Sequence, residues 1–392
     1  MRYEFSNCVL DTNTHSFFRD GEAQKIEPQV FDLLLLLLKN AGALVTKDQL
    51  VDEIWGGRIV SESAISARIA AARKAVGDDG KRQAIIRTVA RRGLQFTAEL
   101  IQKENPQPTS ATPSQTPKIR YATADDGVKI AFAVSGNGPP LLRFAHHPTH
   151  LELEWTEPSE RAMFDALGRK YTLIRMDQRG NGLSDLEIDE YSAERSAKDA
   201  KAVLETMGID RVALLGTSSG AMIAVEFASI FPSSVSLMVT LGGYVHGRSV
   251  RGGNADSSSE DAIMNMVKAG WETPDSPFVS GFLAAYYPTA SPEVLRQLAN
   301  ILQNSCPIEN AIRGRDFFNN HSIEDLLAKV SAPTLVMHCR GDAVHPLSEG
   351  QKMARGIADA ELLVLESRNH YPSPDEQSWH SMIAAMIEFI GN

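Results

Sequence analysis

Val212-Ala213-Leu214-Leu215-Gly216-Thr217-Ser218-Ser219-Gly220-Ala221 is the stretch on which the reading of this chain turns. Residues 212–215 are a short apolar run with the composition of a buried strand, and residues 221–231 continue as an apolar helix. The few residues between them have to reverse the chain sharply. Glycines on both sides of the serine suit such a bend, because side chains would not fit there. The bend lifts the Ser218 hydroxyl out of the sheet, while the Ser219 N–H faces the place where negative charge develops on an attacked carbonyl.

Working outward, strand-like runs alternate with helical stretches at residues 129–134, 141–144, 171–176, 237–241, 334–337 and 362–365. This alternation predicts an α/β fold with a mainly parallel sheet covered by helices on both faces, and ligands at the carboxyl ends of its strands. Two further strand ends carry complementary chemistry. Asp342 follows the run 334–337 in His338-Cys339-Arg340-Gly341-Asp342, and His370 follows 362–365 in Glu366-Ser367-Arg368-Asn369-His370. A lone Asp or His in a loop is ordinarily a surface polar residue. Three such groups at three strand ends, in the order Ser218, Asp342, His370, make a candidate triad in which His370 takes the serine proton and Asp342 fixes the imidazole tautomer.

The alternation is interrupted from about 247 to 330, a segment rich in Trp271, Phe278, Phe282, Tyr286, Tyr287, Phe317 and Phe318. It reads as a helical lid whose aromatics serve either its own packing or a ligand. The expected pocket comprises His146, His147, Trp155, Ser218, Tyr286, Tyr287, Phe317 and His370.

Residues 119–392 resemble the α/β-hydrolase superfamily on these motifs. They are most similar to the hydrolase-like domains that some bacteria fuse to adenylate cyclases or DNA-binding modules. Residues 177–184, DQRGNGLS, are similar to the family's turn after its fourth strand, and residues 150–155, HLELEW, to its pocket-side helix start. The resemblance implies backbone oxyanion donors at Ser219 and in a loop that in the family carries a His-Gly-X turn. Here that loop reads Ala145-His146-His147-Pro148. If X aligns with Pro148 the donor does not exist; if it aligns with His147 the donor survives, with His146 in place of the glycine. Loss of one such donor typically costs about 10²- to 10³-fold in rate, so weak or absent hydrolysis is expected. No metal site is expected from His146, His147 and His150, because no carboxylate or cysteine lies at ligand spacing in that segment. No cofactor is expected either.

Residues 101–118, IQKENPQPTSATPSQTPK, hold Pro106, Pro108, Pro113 and Pro117 among polar residues and read as a linker. Residues 1–100 then form a separate domain. Its first 26 residues predict a small antiparallel sheet with turns at 11–13 and 20–21. A helix is predicted from Pro28 with Val30, Phe31, Leu34, Leu37 and Leu38 inward, ending at Gly42. A second follows Thr46, with Gln49 in the capping-box position, and buries Leu50, Val51, Ile54 and Trp55. A third, from near Ser61, turns Ile65, Ile69, Ala72 and Val76 inward and leaves Ser63, Ser66, Ala67, Ala70, Ala71 and Lys74 outward. Small outward side chains let a helix lie deep in a groove, with Arg68 and Arg73 placed to grip phosphates on either side. Residues 85–96 predict a β-hairpin carrying Arg87, Arg91 and Arg92, a cationic wing suited to a minor groove.

Together these pieces resemble the winged helix-turn-helix of OmpR/PhoB-type response regulators, matched by residues 27–38, 44–55, 65–77 and 86–96; Leu94 stands where the family usually has tyrosine. The resemblance implies binding to double-stranded DNA. The net charge of −10 over 392 residues runs against this, but residues 58–92 carry nine basic and three acidic side chains, a local +6. With 43% hydrophobic and 22% charged residues the chain has material for packed cores. The longest aliphatic run, residues 33–38, is far too short to span a bilayer, and no leader is recognised, so a cytoplasmic protein with no membrane partner is expected. Cys8, Cys306 and Cys339 lie without ligand spacing and read as reduced thiols.

The expected function is a one-component transcription regulator, dimeric through its hydrolase domains, whose pocket binds a small-molecule ligand. The alternatives are an active serine esterase or lactonase carrying a DNA-binding module, and a partner-recruiting protein whose lid is packed shut over Ser218.

Overall fold

The computed structural model describes residues 2–11, 16–55, 60–89, 92–98, 100–101, 117–252 and 264–391. The chain forms two compact units, Met1–Ser114 and Gln115–Asn392. Residues 102–116 of the expected linker lie outside the described residues.

The first unit opens with strands β1 (Arg2–Phe5), β2 (Cys8–Asp11), β3 (Ser16–Arg19) and β4 (Glu22–Gln24). They pair antiparallel in the order β4-β3-β2-β1, and β8 (Leu100–Ile101) adds at the β1 edge. Helix α1 (Pro28–Lys39) starts at its proline and buries Val30, Phe31, Leu33, Leu34, Leu37 and Leu38. A reciprocal capping box precedes α2 (Lys47–Trp55): Thr46 N–H donates to Gln49 Oε1 at 2.8 Å, and Gln49 N–H to Thr46 Oγ1 at 3.3 Å. Helix α3 (Glu62–Ala75) is capped by Ser61, whose hydroxyl accepts the Ala64 N–H. Strands β5 (Leu44–Thr46), β6 (Ile86–Val89) and β7 (Gly93–Phe96) form a second antiparallel sheet in the order β5-β7-β6. Phe5, Leu10, Phe17, Phe31, Leu34, Leu37, Ala72, Val76, Ile86, Leu94 and Phe96 share one core.

The second unit is built on an eight-stranded sheet: β9 (Ile119–Thr123), β10 (Lys129–Ser135), β11 (Pro140–Phe144), β12 (Thr172–Met176), β13 (Val212–Thr217), β14 (Val235–Leu241), β15 (Thr334–Cys339) and β16 (Ala360–Leu365). The order is β16-β15-β14-β13-β11-β12-β10-β9, parallel from β12 to β16 and antiparallel where β10 meets β12 and β9. Side chains alternate between two apolar layers, which is why the inner strands read as nearly continuous apolar runs. Leu142, Leu214, Met238 and Val336 pack on α6 (Ala193–Met207) and α7 (Ser219–Ile230). Leu141, Leu215, Val239, Leu335 and Met337 pack against α5 (Pro158–Gly168) and Gln377–Gly391. Between β14 and β15 the described residues hold Arg248–Gly252, 264–270, Pro277–Tyr286, Pro292–Asn304, Ile308–Asn320 and Glu324–Leu327, all helical. No helix among the described residues is long and apolar enough to cross a membrane. All three cysteines are buried and unpaired, and burial pushes Cys8 up to about 11 and Cys306 and Cys339 up to about 12, so their thiols stay protonated.

Candidate functional site

Strand β13 runs out at Thr217 and α7 begins at Ser219, so Ser218 alone makes the turn. Its φ of 52° and ψ of −122° are a conformation that side-chain-bearing residues rarely adopt and that costs on the order of 1–3 kcal/mol. What holds it there is crowding on both sides. A Cβ at Gly216 would lie 2.6 Å from Ala221 Cα, and one at Gly220 only 2.1 Å from the Phe144 carbonyl oxygen and 2.6 Å from that of Ala145. The strand end of β11 therefore abuts the first turn of α7, and Ser218 N–H closes the bend on Leu241 O at 2.9 Å.

His370 Nδ1 lies 2.6 Å from Asp342 Oδ2. The other carboxylate oxygen accepts the N–H groups of Val344 at 2.9 Å and His345 at 3.0 Å. Burial pushes the Asp342 carboxyl up, but His370 and these two donors outweigh it and hold it below the usual carboxylate range. An ionised Asp342 accepts from Nδ1–H, which leaves the lone pair on His370 Nε2. That nitrogen is buried without a hydrogen-bond partner among the described residues, Ser218 included.

His147, rather than Pro148, turns its backbone toward the elbow: its N–H donates to Ser219 Oγ at 3.0 Å. The ring is fastened at both nitrogens, with Tyr191 Oη 2.9 Å from Nδ1 and Ala311 O 3.3 Å from Nε2. It packs onto Gly314, where a Cβ would come within 2.4 Å of the ring. Burial drives His147 down to about 4 and His146 likewise, so both rings are neutral at physiological pH. The Ser219 N–H, first in its helix, has no intrahelical acceptor.

In the first unit, Ser63, Ser66, Ala67, Ala70 and Lys74 form an exposed face of α3, with Arg87 and Arg92 exposed on the hairpin. Ala71, expected outward, is half-buried against the core. Arg91 lies outside the described residues. Two residues expected at phosphates also have partners within the domain. Arg68 is turned to the start of α1, donating to Gln29 at 3.1 Å and pairing with Glu27. Arg73 donates to Ile86 O at 2.9 Å and Thr88 Oγ1 at 2.8 Å, tying α3 to the hairpin. Both guanidiniums have intramolecular acceptors that sequence spacing does not reveal.

The model of the family described as alpha/beta hydrolase fold matches residues 152–377, more than half of the chain. The chain belongs to the α/β-hydrolase fold family. Residues 21–96 match the family described as transcriptional regulatory protein, C terminal, so the first unit of this α/β-hydrolase-fold protein is an OmpR/PhoB-type DNA-binding domain. The hydrolase part is similar to the AB hydrolase superfamily protein YisY of Bacillus subtilis strain 168, at 25% identity over 64% of this chain and 91% of that protein. It is 24% identical to the 2-hydroxy-6-oxononadienedioate/2-hydroxy-6-oxononatrienedioate hydrolase of Klebsiella pneumoniae, over 66% of this chain and 86% of the relative. Among solved structures, an esterase from Exiguobacterium antarcticum shares the fold with a TM-score of 0.60, at 24% identity, covering 69% of this chain and 99% of its own.

In this α/β-hydrolase-fold domain a cavity of about 140 Å³ reaches Ser218, Ser219 and His370. Of the expected pocket residues, His146, His147, Tyr286 and Tyr287 also line it. Trp155 and Phe317 do not. Trp155 is stacked on Phe164 at 6.1 Å, with the Arg161 and Arg175 guanidiniums 4.1 and 5.0 Å from its ring centre, in an apolar layer against the sheet. Phe317 packs on Tyr191 and His321, and its neighbour Phe318 takes the wall position. Tyr244, Trp271, Phe282, Tyr371, His345 and Glu160 are among the other residues of a wall that mixes aromatic, aliphatic and a few charged side chains. Tyr371 had a local signal, since it follows His370 directly. Glu160 shares the buried Arg143 with Glu154, at 2.7 and 2.8 Å. Glu160 is raised to about 7: burial pushes it up, Arg143 offsets part of that, and Glu154 and Glu157 add to the rise.

Proposed function

We infer that this protein is a DNA-binding transcription regulator whose hydrolase-fold cavity receives a small, mainly apolar acyl compound and alters DNA binding in response. One observation carries the reading: a cavity of about 140 Å³ with mainly aromatic and aliphatic walls opens onto Ser218 and His370 in a chain that also carries an OmpR/PhoB-type DNA-binding domain. The open cavity disfavours a purely partner-recruiting role with the lid shut. Ser218, Asp342 and His370 are assigned as the triad, with Ser219 and His147 as backbone oxyanion donors. On the DNA side, Ser63, Ser66, Ala67 and Ala70 face the bases, while Lys74, Arg87, Arg91 and Arg92 meet phosphates or the minor groove. Ligand binding regulates only if it favours one arrangement of the assembly over another, which a homodimer paired through its hydrolase-fold domains provides. On this reading the protein works in the cytoplasm, beside its DNA.

The test is a thermal-shift screen of acyl and aromatic compounds on the full chain, followed by DNA binding to a duplex selected from a random pool, with and without each hit. A stabilising hit that changes duplex affinity at least about fivefold supports the reading, since that is the lower end of ordinary allosteric coupling. Hits that stabilise the protein and leave DNA affinity untouched sink it. The second reading, an active esterase or lactonase, is favoured by the 2.6 Å His370–Asp342 contact and by relatives named as hydrolases. Turnover of short-chain nitrophenyl esters that vanishes in Ser218→Ala would establish that reading.

A further inference from the structure

We propose that the Ser219 hydroxyl caps the oxyanion donor of His147 and holds a bound acyl compound short of turnover. The proposal rests on the reading above, that the cavity brings an acyl group to Ser218. Attack on a carbonyl needs two donors about 2.7–3.1 Å from the developing oxyanion. The two available are Ser219 N–H and His147 N–H, and the second already has an acceptor, Ser219 Oγ at 3.0 Å. The site therefore contains its own competitor for the carbonyl oxygen.

The surrounding structure leaves little freedom except at that hydroxyl. Phe144 O and Ala145 O press against Gly220, so the loop after β11 and the start of α7 cannot slide past each other. The His147 ring is anchored by Tyr191 and Ala311 and seated on Gly314. Releasing the donor then needs one motion, rotation of Ser219 about its χ1 torsion. Ser219 is buried but lines the cavity, so a compound above Ser218 touches the group that must turn.

When the donor is released, ordinary ester chemistry follows. Ser218 Oγ adds to the carbonyl carbon as its proton passes to His370 Nε2, and the carbonyl oxygen takes the negative charge. Collapse expels the alcohol with the proton held on His370. Water then cleaves the acyl-serine by the same steps, giving acid, alcohol and free Ser218. With the cap in place the first addition lacks one of its two donors, and the bound compound persists. Ser219 is on this account a positioning residue that sets residence against turnover.

The test uses the full chain as wild type, Ser219→Ala and Ser219→Thr. A fluorophosphonate probe reports whether Ser218 is nucleophilic, with the labelled position read by mass spectrometry, and 4-nitrophenyl acetate reports turnover. All three proteins should be labelled at Ser218. Ser219→Ala should raise kcat by about 10- to 100-fold, a part of what one oxyanion donor is worth, with KM changed less than about threefold. Ser219→Thr, which keeps an acceptor oxygen on that side chain, should show no comparable rise in kcat. A Ser219→Ala protein that is labelled but no faster, or slower, overturns the cap. Absence of label on Ser218 in all three overturns the reading of the cavity, and the proposal with it.

Discussion

Asp78 accepts four backbone N–H groups, those of Asp79 and Ala84 on one oxygen and those of Ile85 and Ile86 on the other, and so fixes the loop that feeds the hairpin. Burial pushes its carboxyl up, but the four donors outweigh it and hold it below the ordinary range. A depressed acid contributes stability that is complete above its unfolded pKa, about 4, and is lost as pH falls through the folded value. Asp78→Asn should cost about 2 kcal/mol, seen as roughly 30-fold faster amide exchange at Ile85 and Ile86 at pH 7, with the difference shrinking below about pH 4. Glu160 has the opposite sign. Raised to about 7, it binds its proton more tightly in the folded state, so stability falls as pH rises from about 4.5 through 7. Glu160→Gln should raise the thermal midpoint at pH 8 and leave it nearly unchanged at pH 5; equal midpoints for the two proteins across that window would contradict a buried acid. At this scale the sequence was legible where the cause is local. Gly216, Ser218 and Gly220 declare their bend within five residues, whereas Tyr191 reaches His147 across 44 positions, and nothing near either residue marks the pairing.

Caps and stripes made the elements of the first unit readable, because Pro28, Thr46 with Gln49, and Ser61 act within one turn of where they stand. Partners across elements were not readable. Arg68 and Arg73 share the composition of a phosphate-gripping face, yet their acceptors lie 41 and 15 positions away at Glu27 and Thr88. This divides the expected effects of mutation. Lys74→Ala and Arg92→Ala should each weaken DNA binding across sequences and reduce the slope of log affinity against log salt by about 1. Arg68→Ala should leave that slope intact and lower the melting temperature instead; a reduced slope in Arg68→Ala, measured by fluorescence anisotropy, would return it to the phosphates. In the second unit, the helix Ile308–Asn320 presents Phe318 rather than Phe317 to the cavity, a one-residue change of phase that turns a side chain by about 100°. Strand β9 went unread because Ile119–Thr123 buries only Ala122 fully and so carries no alternating stripe.

At the scale of the whole molecule, the α/β alternation was legible because it depends on composition over tens of residues. The contents of the cavity wall were not, since they come from β11, the elbow, the helical segment between β14 and β15, and the ends of β15 and β16 at once. A regulator of the proposed kind needs two DNA-binding domains per site, so light scattering at micromolar concentration should give about twice the 42.8 kDa chain mass, with or without DNA. A monomer in both conditions would remove the means by which a ligand reaches the DNA. The core shared by the first unit's sheets and helices draws, among the described residues, only on positions between Tyr3 and Ala98. A module that closes its own interior can be transplanted: spliced upstream of an unrelated domain it should still fold.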